Sequence, residues 1–134
     1  MTNLLVLCGA SGSGKSTLSK EIAEKQNLIR LSMDELNFFS HSELLPLITE
    51  LLESNKDIII DALYTKLKWR KEILEATNRF DCKRTLIYMN TSLNECIRRN
   101  KGRKSPLPDL VIEHTYNKIE SPSLDEGWDE ILYY

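Results

Sequence analysis

Cysteine is scarce in this 134-residue chain, and its spacing excludes two common ways of stabilising a small protein. Cys8, Cys82 and Cys96 are an odd number of residues at wide, irregular intervals. Such spacing implies neither a disulfide framework nor a zinc site. We therefore expect reduced thiols that are partly buried.

The chain also lacks a long hydrophobic run, an internal repeat and a low-complexity tract. Its first apolar stretch, residues 4–8, is too short to span a bilayer and follows no basic leader, which predicts a cytoplasmic protein. Hydrophobic residues make up 41% and charged residues 28%, so the composition gives no sign of disorder. Residues 1–134 are therefore expected to form a single domain without a second catalytic module.

Charge is small overall but unevenly distributed. The formal net charge is −2, yet residues 66–104 carry 12 of the 18 Lys and Arg and only 4 of the 20 Asp and Glu. That segment has a net charge of +8, against −10 for the rest of the chain. One part of the protein is thus suited to bind a polyanion.

Short apolar runs alternate with helical patterns along the chain. The runs with strand character lie at residues 4–8, 28–31, 57–61 and 85–89, and the helical patterns at 15–26, 44–52, 68–76 and 92–100. This alternation predicts an α/β fold with a parallel sheet and helices on both faces. Ser42 is a candidate helix cap, residues 101–108 predict a mobile loop, and residues 131–134 predict a short edge strand.

The string GASGSGKST fits the pattern G-x-x-x-x-G-K-S/T between a strand and a helix, as a nucleotide-binding P-loop requires. Lys15 would neutralise charge between the β- and γ-phosphates of ATP, and the Ser16 hydroxyl would ligate Mg²⁺. A glycine turn without function is the alternative. The predicted nucleotide-binding residues of the loop are Gly9, Ala10, Ser11, Gly12, Ser13, Gly14, Lys15, Ser16 and Thr17. Together with the α/β pattern, this motif predicts a P-loop NTPase fold.

Two aspartates follow predicted strands, where a parallel sheet delivers residues to the crevice beside the phosphates. Asp34 is a candidate general base that accepts a proton from an attacking hydroxyl, or alternatively a helix cap. Asp61 ends the most hydrophobic strand and could hold a magnesium-bound water or orient the acceptor, or be a surface carboxylate. Their common location favours a catalytic interpretation of both.

Basic residues form two groups in the positive segment. The stretch from Arg98 to Lys104 has five cations in seven residues as a helix gives way to a loop, which favours a lid over the triphosphate rather than a solvated surface. Lys68 and Arg70 follow Asp61 and are candidate contacts to the acceptor, although they could equally be a helix surface with Trp69 in the core.

These motifs together resemble the polynucleotide 5′-hydroxyl kinases, both the phage enzymes and the kinase domain of the animal kinase–phosphatases. The resemblance covers nearly the whole chain and is most specific in the string SPLPDLVIEHTYNKIESPSLDEGWDEIL. It implies that Asp34 activates the 5′-hydroxyl of a nucleic acid strand, that Arg103 contacts the ATP phosphates, and that Arg99 is a second basic residue of the lid. Asn37 stands where the phage enzymes have an arginine that holds a substrate phosphate.

The sequence therefore predicts a kinase that transfers phosphate from ATP, with Mg²⁺, to the 5′-hydroxyl of DNA or RNA. Lys15, Asp34 and Arg103 are its predicted catalytic residues. One alternative is a small-molecule kinase similar to gluconate kinase or the antibiotic phosphotransferases. Another is a regulator that hydrolyses NTP slowly, although the chain lacks the N-K-x-D motif that reads guanine.

Overall fold

Five short strands form one parallel sheet. The computed structural model describes residues 1–134. The strands are β1 (Thr2–Cys8), β2 (Ile29–Ser32), β3 (Ile58–Asp61), β4 (Cys82–Tyr88) and β5 (Glu130–Tyr133). They lie in the order β2-β3-β1-β4-β5, and every neighbouring pair is parallel. The predicted α/β fold with a parallel sheet is confirmed.

Helices connect these strands. They are α1 (Lys15–Gln26), α2 (Leu44–Glu53), α3 (Leu67–Thr77), α4 (Leu93–Lys101) and α5 (Asp109–Asn117), with 3₁₀ turns at His41–Glu43 and Leu124–Glu126. The prediction that Ser42 caps the second helix is wrong, because Ser42 lies inside a 3₁₀ turn and α2 has no side-chain cap. At α4 the Ser92 hydroxyl accepts a hydrogen bond from the Glu95 N–H at 3.2 Å, as an N-cap should.

The sheet has an apolar layer on each face because successive strand residues point to opposite sides. Leu4 and Val6 of β1 belong to the larger cluster, which includes buried residues of α2 and α3. Leu5 and Leu7 belong to the smaller one, against which α1 packs. Helices therefore cover both faces. The three cysteines are free and buried, as free thiols in an apolar interior tend to be.

The strand order creates the crevice that holds the site. Because β1 lies between β3 and β4, the chain turns to one side of β1 after the first strand and crosses to the other side before β4. The loops that follow β1, β2 and β3 meet at the same edge of the sheet, at this change of direction. No helix in the structure combines the length and the apolar composition that a membrane crossing needs.

Candidate active site

The loop after β1 has the backbone conformation of a phosphate-binding cradle. Gly12 and Gly14 have φ angles of 82° and 100°, a region that side chains rarely tolerate. A Cβ at Gly12 would lie 2.6 Å from the Cys96 carbonyl oxygen, so α4 packs directly against the loop. The glycines are thus required for both the turn and the close approach of α4.

Lys15 stands at the start of α1 and bends back over the loop. Its Nζ donates a hydrogen bond to the Ala10 carbonyl oxygen at 2.9 Å. Burial lowers the pKa of Lys15, and the negative charge of Asp61 opposes that shift. The ammonium group is thereby held above the cradle, where a phosphate chain would replace its carbonyl partner.

Ser16 and Asp61 meet at the junction of α1 and β3. The Ser16 hydroxyl donates to Asp61 Oδ2 at 3.0 Å, and Ser19 Oγ lies 3.3 Å from the same oxygen. The Arg30 guanidinium of β2 pairs with Asp61 and also donates from Nε to Ser19 Oγ at 2.7 Å. This network fixes the Asp61 carboxylate beside the first turn of α1.

The oxygens of Ser16 and Asp61 fit a Mg²⁺ ion. Magnesium prefers one or two protein oxygens together with waters and substrate phosphates over a cage built from protein alone. No group of three or more His, Cys, Asp or Glu side chains in residues 1–134 could hold a metal by itself. A bound Mg²⁺ would therefore depend on the nucleotide, and Ser16 with Asp61 would hold its protein side.

Asp34 lies in the turn that follows β2, with its side chain exposed. Its carboxylate makes no hydrogen bond within the protein. The hydroxyl that accepts the Glu35 N–H, at 3.3 Å, is that of Ser32. The capping alternative for Asp34 is therefore not supported, and the carboxylate is available to a ligand.

The basic stretch lies against the cradle from the α4 side. Arg99 donates from Nη1 to the Ser13 carbonyl oxygen at 2.7 Å and from Nε to Glu95 at 3.0 Å. Hydrogen bonds from Arg98 and then Arg99 lower the pKa of Glu95 to about 2. The Asn100 side chain closes the loop that follows α4: its Oδ1 accepts a hydrogen bond from the Leu107 N–H, and its Nδ2 donates one to the Leu107 carbonyl oxygen.

One cavity of about 710 Å³ unites most of the predicted residues. Its walls come from the P-loop, from the loops after β2 and β3, and from the basic stretch. The lining residues are Ser11, Gly12, Gly14, Lys15, Ser16, Thr17, Met33, Asp34, His41, Asp61, Ala62, Leu63, Arg99, Arg103 and Leu107. Gly9, Ala10 and Ser13, also predicted to bind nucleotide, are buried beneath the loop and do not line it.

Two predicted acceptor contacts lie outside this cavity. Lys68 is exposed on α3, whereas Arg70 of the same helix is fully buried. Arg70 pairs with Glu126 at 2.8 Å and donates to the carbonyl oxygens of Tyr64 and Glu120. The prediction that Arg70 contacts the acceptor does not fit this position, because its guanidinium is enclosed and already paired. It is not a helix-surface residue either.

Two ionisable side chains of the site were not found from the sequence. Arg30 follows an exposed strand residue and could only have been linked to Asp61 through the pairing of β2 with β3, which sets Ser32 opposite Asp61. His41 lines the cavity although nothing in its local sequence distinguishes it. Both depend on contacts between segments that are distant along the chain.

Comparisons with known proteins agree with this architecture. A family model described as AAA domain matches residues 4–122. An L-seryl-tRNA(Sec) kinase of Methanococcus maripaludis is 28% identical over 142 residues, covering 94% of this chain and 56% of that protein. The chain thus spans little more than half the length of this curated relative.

Two solved structures share the fold. A sugar kinase from Janibacter sp. HTCC2649 superposes with a TM-score of 0.80 at 16% identity, covering 99% of this chain and 86% of the other. A fungal RNA kinase superposes with a TM-score of 0.75, also at 16% identity, covering 98% and 73% of the two chains. At such identities the likeness establishes the fold alone.

Proposed function

This chain belongs to the AAA-domain family of P-loop kinases, and from that premise we propose that it transfers the γ-phosphate of ATP to the 5′-hydroxyl end of DNA or RNA. The observation that carries the proposal is the position of Asp34. Its unpaired carboxylate faces the same cavity as Lys15 and the P-loop. A general base and a phosphate cradle are thereby brought within one site.

The P-loop cradle forms the part of the site that would bind ATP. The backbone N–H groups of the loop and the N-terminus of α1 suit the β-phosphate, and Lys15 would neutralise charge that develops towards the γ-phosphate. Arg99 and Arg103 line the other side and would stabilise the transferring group. A bound Mg²⁺ at Ser16 and Asp61 would supply further positive charge to the phosphate oxygens.

The acceptor half of the site performs the proton transfer. Asp34 would take the proton of the acceptor hydroxyl as its oxygen forms a bond to the γ-phosphorus. The bond from that phosphorus to the β–γ bridging oxygen breaks, and ADP leaves with the electron pair. The product is a phosphate monoester at the acceptor end, and Asp34 later returns its proton to solvent.

A nucleic acid acceptor is favoured by the charge distribution. Residues 66–104 have a net charge of +8; Arg70 in this segment is buried and paired, but Lys66, Lys68 and Lys71 are exposed at the start of α3. Such a surface attracts phosphate backbones. The names of two similar proteins also refer to substrates that contain RNA, an L-seryl-tRNA(Sec) kinase and a fungal RNA kinase.

A panel of acceptors tests the proposal. ATP labelled at the γ-phosphate is offered with 5′-hydroxyl DNA and RNA oligonucleotides, seryl-tRNA, free nucleosides and gluconate. We expect label on the oligonucleotides. Label on gluconate or a nucleoside alone would identify a small-molecule kinase. Label on seryl-tRNA alone would indicate a different RNA acceptor. Release of free labelled phosphate alone would indicate a hydrolase.

Matched variants attribute the activity to the P-loop. Lys15→Met removes the charge from the cradle and should lower transfer roughly 100-fold or more. Lys25→Met changes an exposed lysine in the last turn of α1 and should leave the rate unchanged. Equal rates for the two variants would contradict the assignment of the site.

A further inference from the structure

A histidine stands in the wall of the cavity without a partner. His41 opens the 3₁₀ turn before α2 and lies in the segment that also carries Asp34. It is only 7% exposed, yet it lines the cavity that contains the P-loop. Neither ring nitrogen makes a hydrogen bond within the protein, and Nε2 is buried.

Aromatic contacts fix the orientation of this ring. The imidazole stacks on Trp69 with centroids 3.9 Å apart and an interplanar angle of 16°. It also makes a T-shaped contact with the Tyr64 ring, with centroids 4.6 Å apart and an interplanar angle of 81°. A side chain held by two rings keeps one rotamer, so its nitrogens are preorganised for a ligand.

The protonation state of His41 limits what it can bind. Burial lowers its pKa to about 4, so the imidazole is neutral near pH 7. A neutral ring has one donor and one acceptor nitrogen. The ring can therefore exchange a hydrogen bond with a hydroxyl, a ring oxygen or a base edge without carrying a charge of its own.

The surroundings of His41 also suit a nucleoside. Lys66 Nζ lies 5.1 Å from the centroid of the Trp69 ring, so a cation adjoins the aromatic pair. Met33 and Leu63 add apolar surface to the same cavity wall as Asp34. Apolar surface with one neutral polar group is a typical setting for a base or a sugar.

We propose that His41 is an acceptor-binding residue that hydrogen-bonds to the 5′-terminal nucleoside of the strand and so holds its hydroxyl beside Asp34. This inference rests on the proposed polynucleotide kinase activity. Only Nε2 is enclosed, so Nδ1 is the unpartnered nitrogen that a bound strand can reach and to which it would supply the missing hydrogen bond. The hydrogen bond goes either to the sugar or to the base edge.

Steady-state kinetics test the proposal. His41→Phe keeps an aromatic ring against Trp69 and removes both nitrogens. We expect kcat/KM for a 5′-hydroxyl oligonucleotide to fall about tenfold or more, as for the loss of one hydrogen bond, while KM for ATP stays within about twofold. His114→Phe is the control, because His114 is the other histidine of the chain and is exposed on α5.

Two further comparisons refine the result. His41→Asn restores a polar group near the Nδ1 position, so partial recovery of kcat/KM would support hydrogen bonding over ring packing. An oligonucleotide with an abasic 5′ end separates the two partners. If the base is the partner, wild type and His41→Phe should have the same kcat/KM for this substrate. If the sugar is the partner, the kcat/KM of His41→Phe should remain below that of wild type.

Binding provides a readout that does not require turnover. Addition of a 5′-hydroxyl trinucleotide without ATP should shift the imidazole NMR signals of His41 and leave those of His114 in place. Unshifted His41 signals, or unchanged kcat/KM in a folded His41→Phe, would overturn the proposal while leaving the kinase assignment intact. A wild-type protein that phosphorylates no oligonucleotide would overturn both.

Discussion

Asp34 is the residue whose chemistry and structural role are easiest to separate. Its exposed carboxylate makes no hydrogen bond within the protein, so Asp34→Asn should leave stability within about 0.5 kcal/mol of wild type. The same change removes the proposed base, and we expect transfer to the acceptor to fall 100-fold or more with ATP binding unchanged. Thermal unfolding, ATP titration and kcat measure the three effects.

Glu35→Gln is the matched control for this variant. Glu35 neighbours Asp34 and pairs with Arg30 at 3.0 Å, but its side chain is 63% exposed and lies outside the cavity. It should keep most of the activity. A less stable Asp34→Asn with an undiminished rate would support a structural role for Asp34 instead.

At the residue scale, the sequence determines a position most directly where a motif fixes the local backbone. Lys15 and Ser16 follow from the P-loop spacing, which dictates both the turn and the start of α1. Arg70 shows the opposite case. The sequence predicts it as a contact to the acceptor, or alternatively as part of a helix surface, but Glu126 lies 56 residues further along the chain and pairs with it in the interior. Local sequence contains no signal for a partner that distant.

Arg70 and Glu126 join α3 to the segment before β5. Burial raises the pKa of Glu126, but hydrogen bonds from Arg70 and then Trp128 outweigh it and leave the pKa below its usual value. Arg70→Ala would leave the Glu126 carboxylate without its charged partner. We expect a loss of about 3–5 kcal/mol in the free energy of unfolding, measured by denaturant titration.

Lys68→Ala is the control on the same helix, because Lys68 is exposed and should change stability by no more than about 0.5 kcal/mol. Arg70→Met combined with Glu126→Leu removes both charges and should recover much of the loss. If Arg70→Ala remained as stable as Lys68→Ala, the ion pair would have no structural importance.

The elements themselves were largely predictable. Continuous apolar runs gave β1 and β3, and α1 begins and ends at the predicted residues because glycine precedes it and Asn27, at φ 56°, ends it. The helix α2 also begins at the predicted Leu44, but the 3₁₀ turn that precedes it was not predictable in the same way. At this turn, His41–Glu43, the His41 ring packs against Trp69 and Tyr64, which lie more than 20 residues further along the chain.

The stability of the whole molecule should respond to acid through His41. Its pKa falls from 6.5 to about 4 on folding, so the unfolded chain binds more protons between these values. Stability is therefore lost as the pH falls from about 6.5 to about 4, by up to about 3 kcal/mol from this group. Unfolding of wild type and His41→Phe across this range measures it. The difference between their free energies should change with pH.

The charge asymmetry of the molecule predicts how oligonucleotide binding depends on salt. Each phosphate neutralised on a single strand releases counterions and steepens the slope of log affinity against log salt by about 0.7. Charge reversal in Lys68→Glu should weaken oligonucleotide binding and reduce that slope, because Lys68 is exposed on the helix whose Trp69 packs against His41 at the cavity wall. Binding of ATP should be nearly unaffected, since Lys68 does not line the cavity.

Two other variants locate the effect on the molecular surface. Lys25→Glu makes the same charge change in the last turn of α1, roughly 15 Å along the helix from the P-loop, and should leave the slope as in wild type. Arg103→Ala should instead lower turnover with every acceptor, because Arg103 lines the nucleotide cavity. Titrations of each variant with a 5′-hydroxyl oligonucleotide and with ATP at several salt concentrations give these results. A flat salt response for the oligonucleotide would mean that the positive segment does not bind a strand, and would favour a small acceptor.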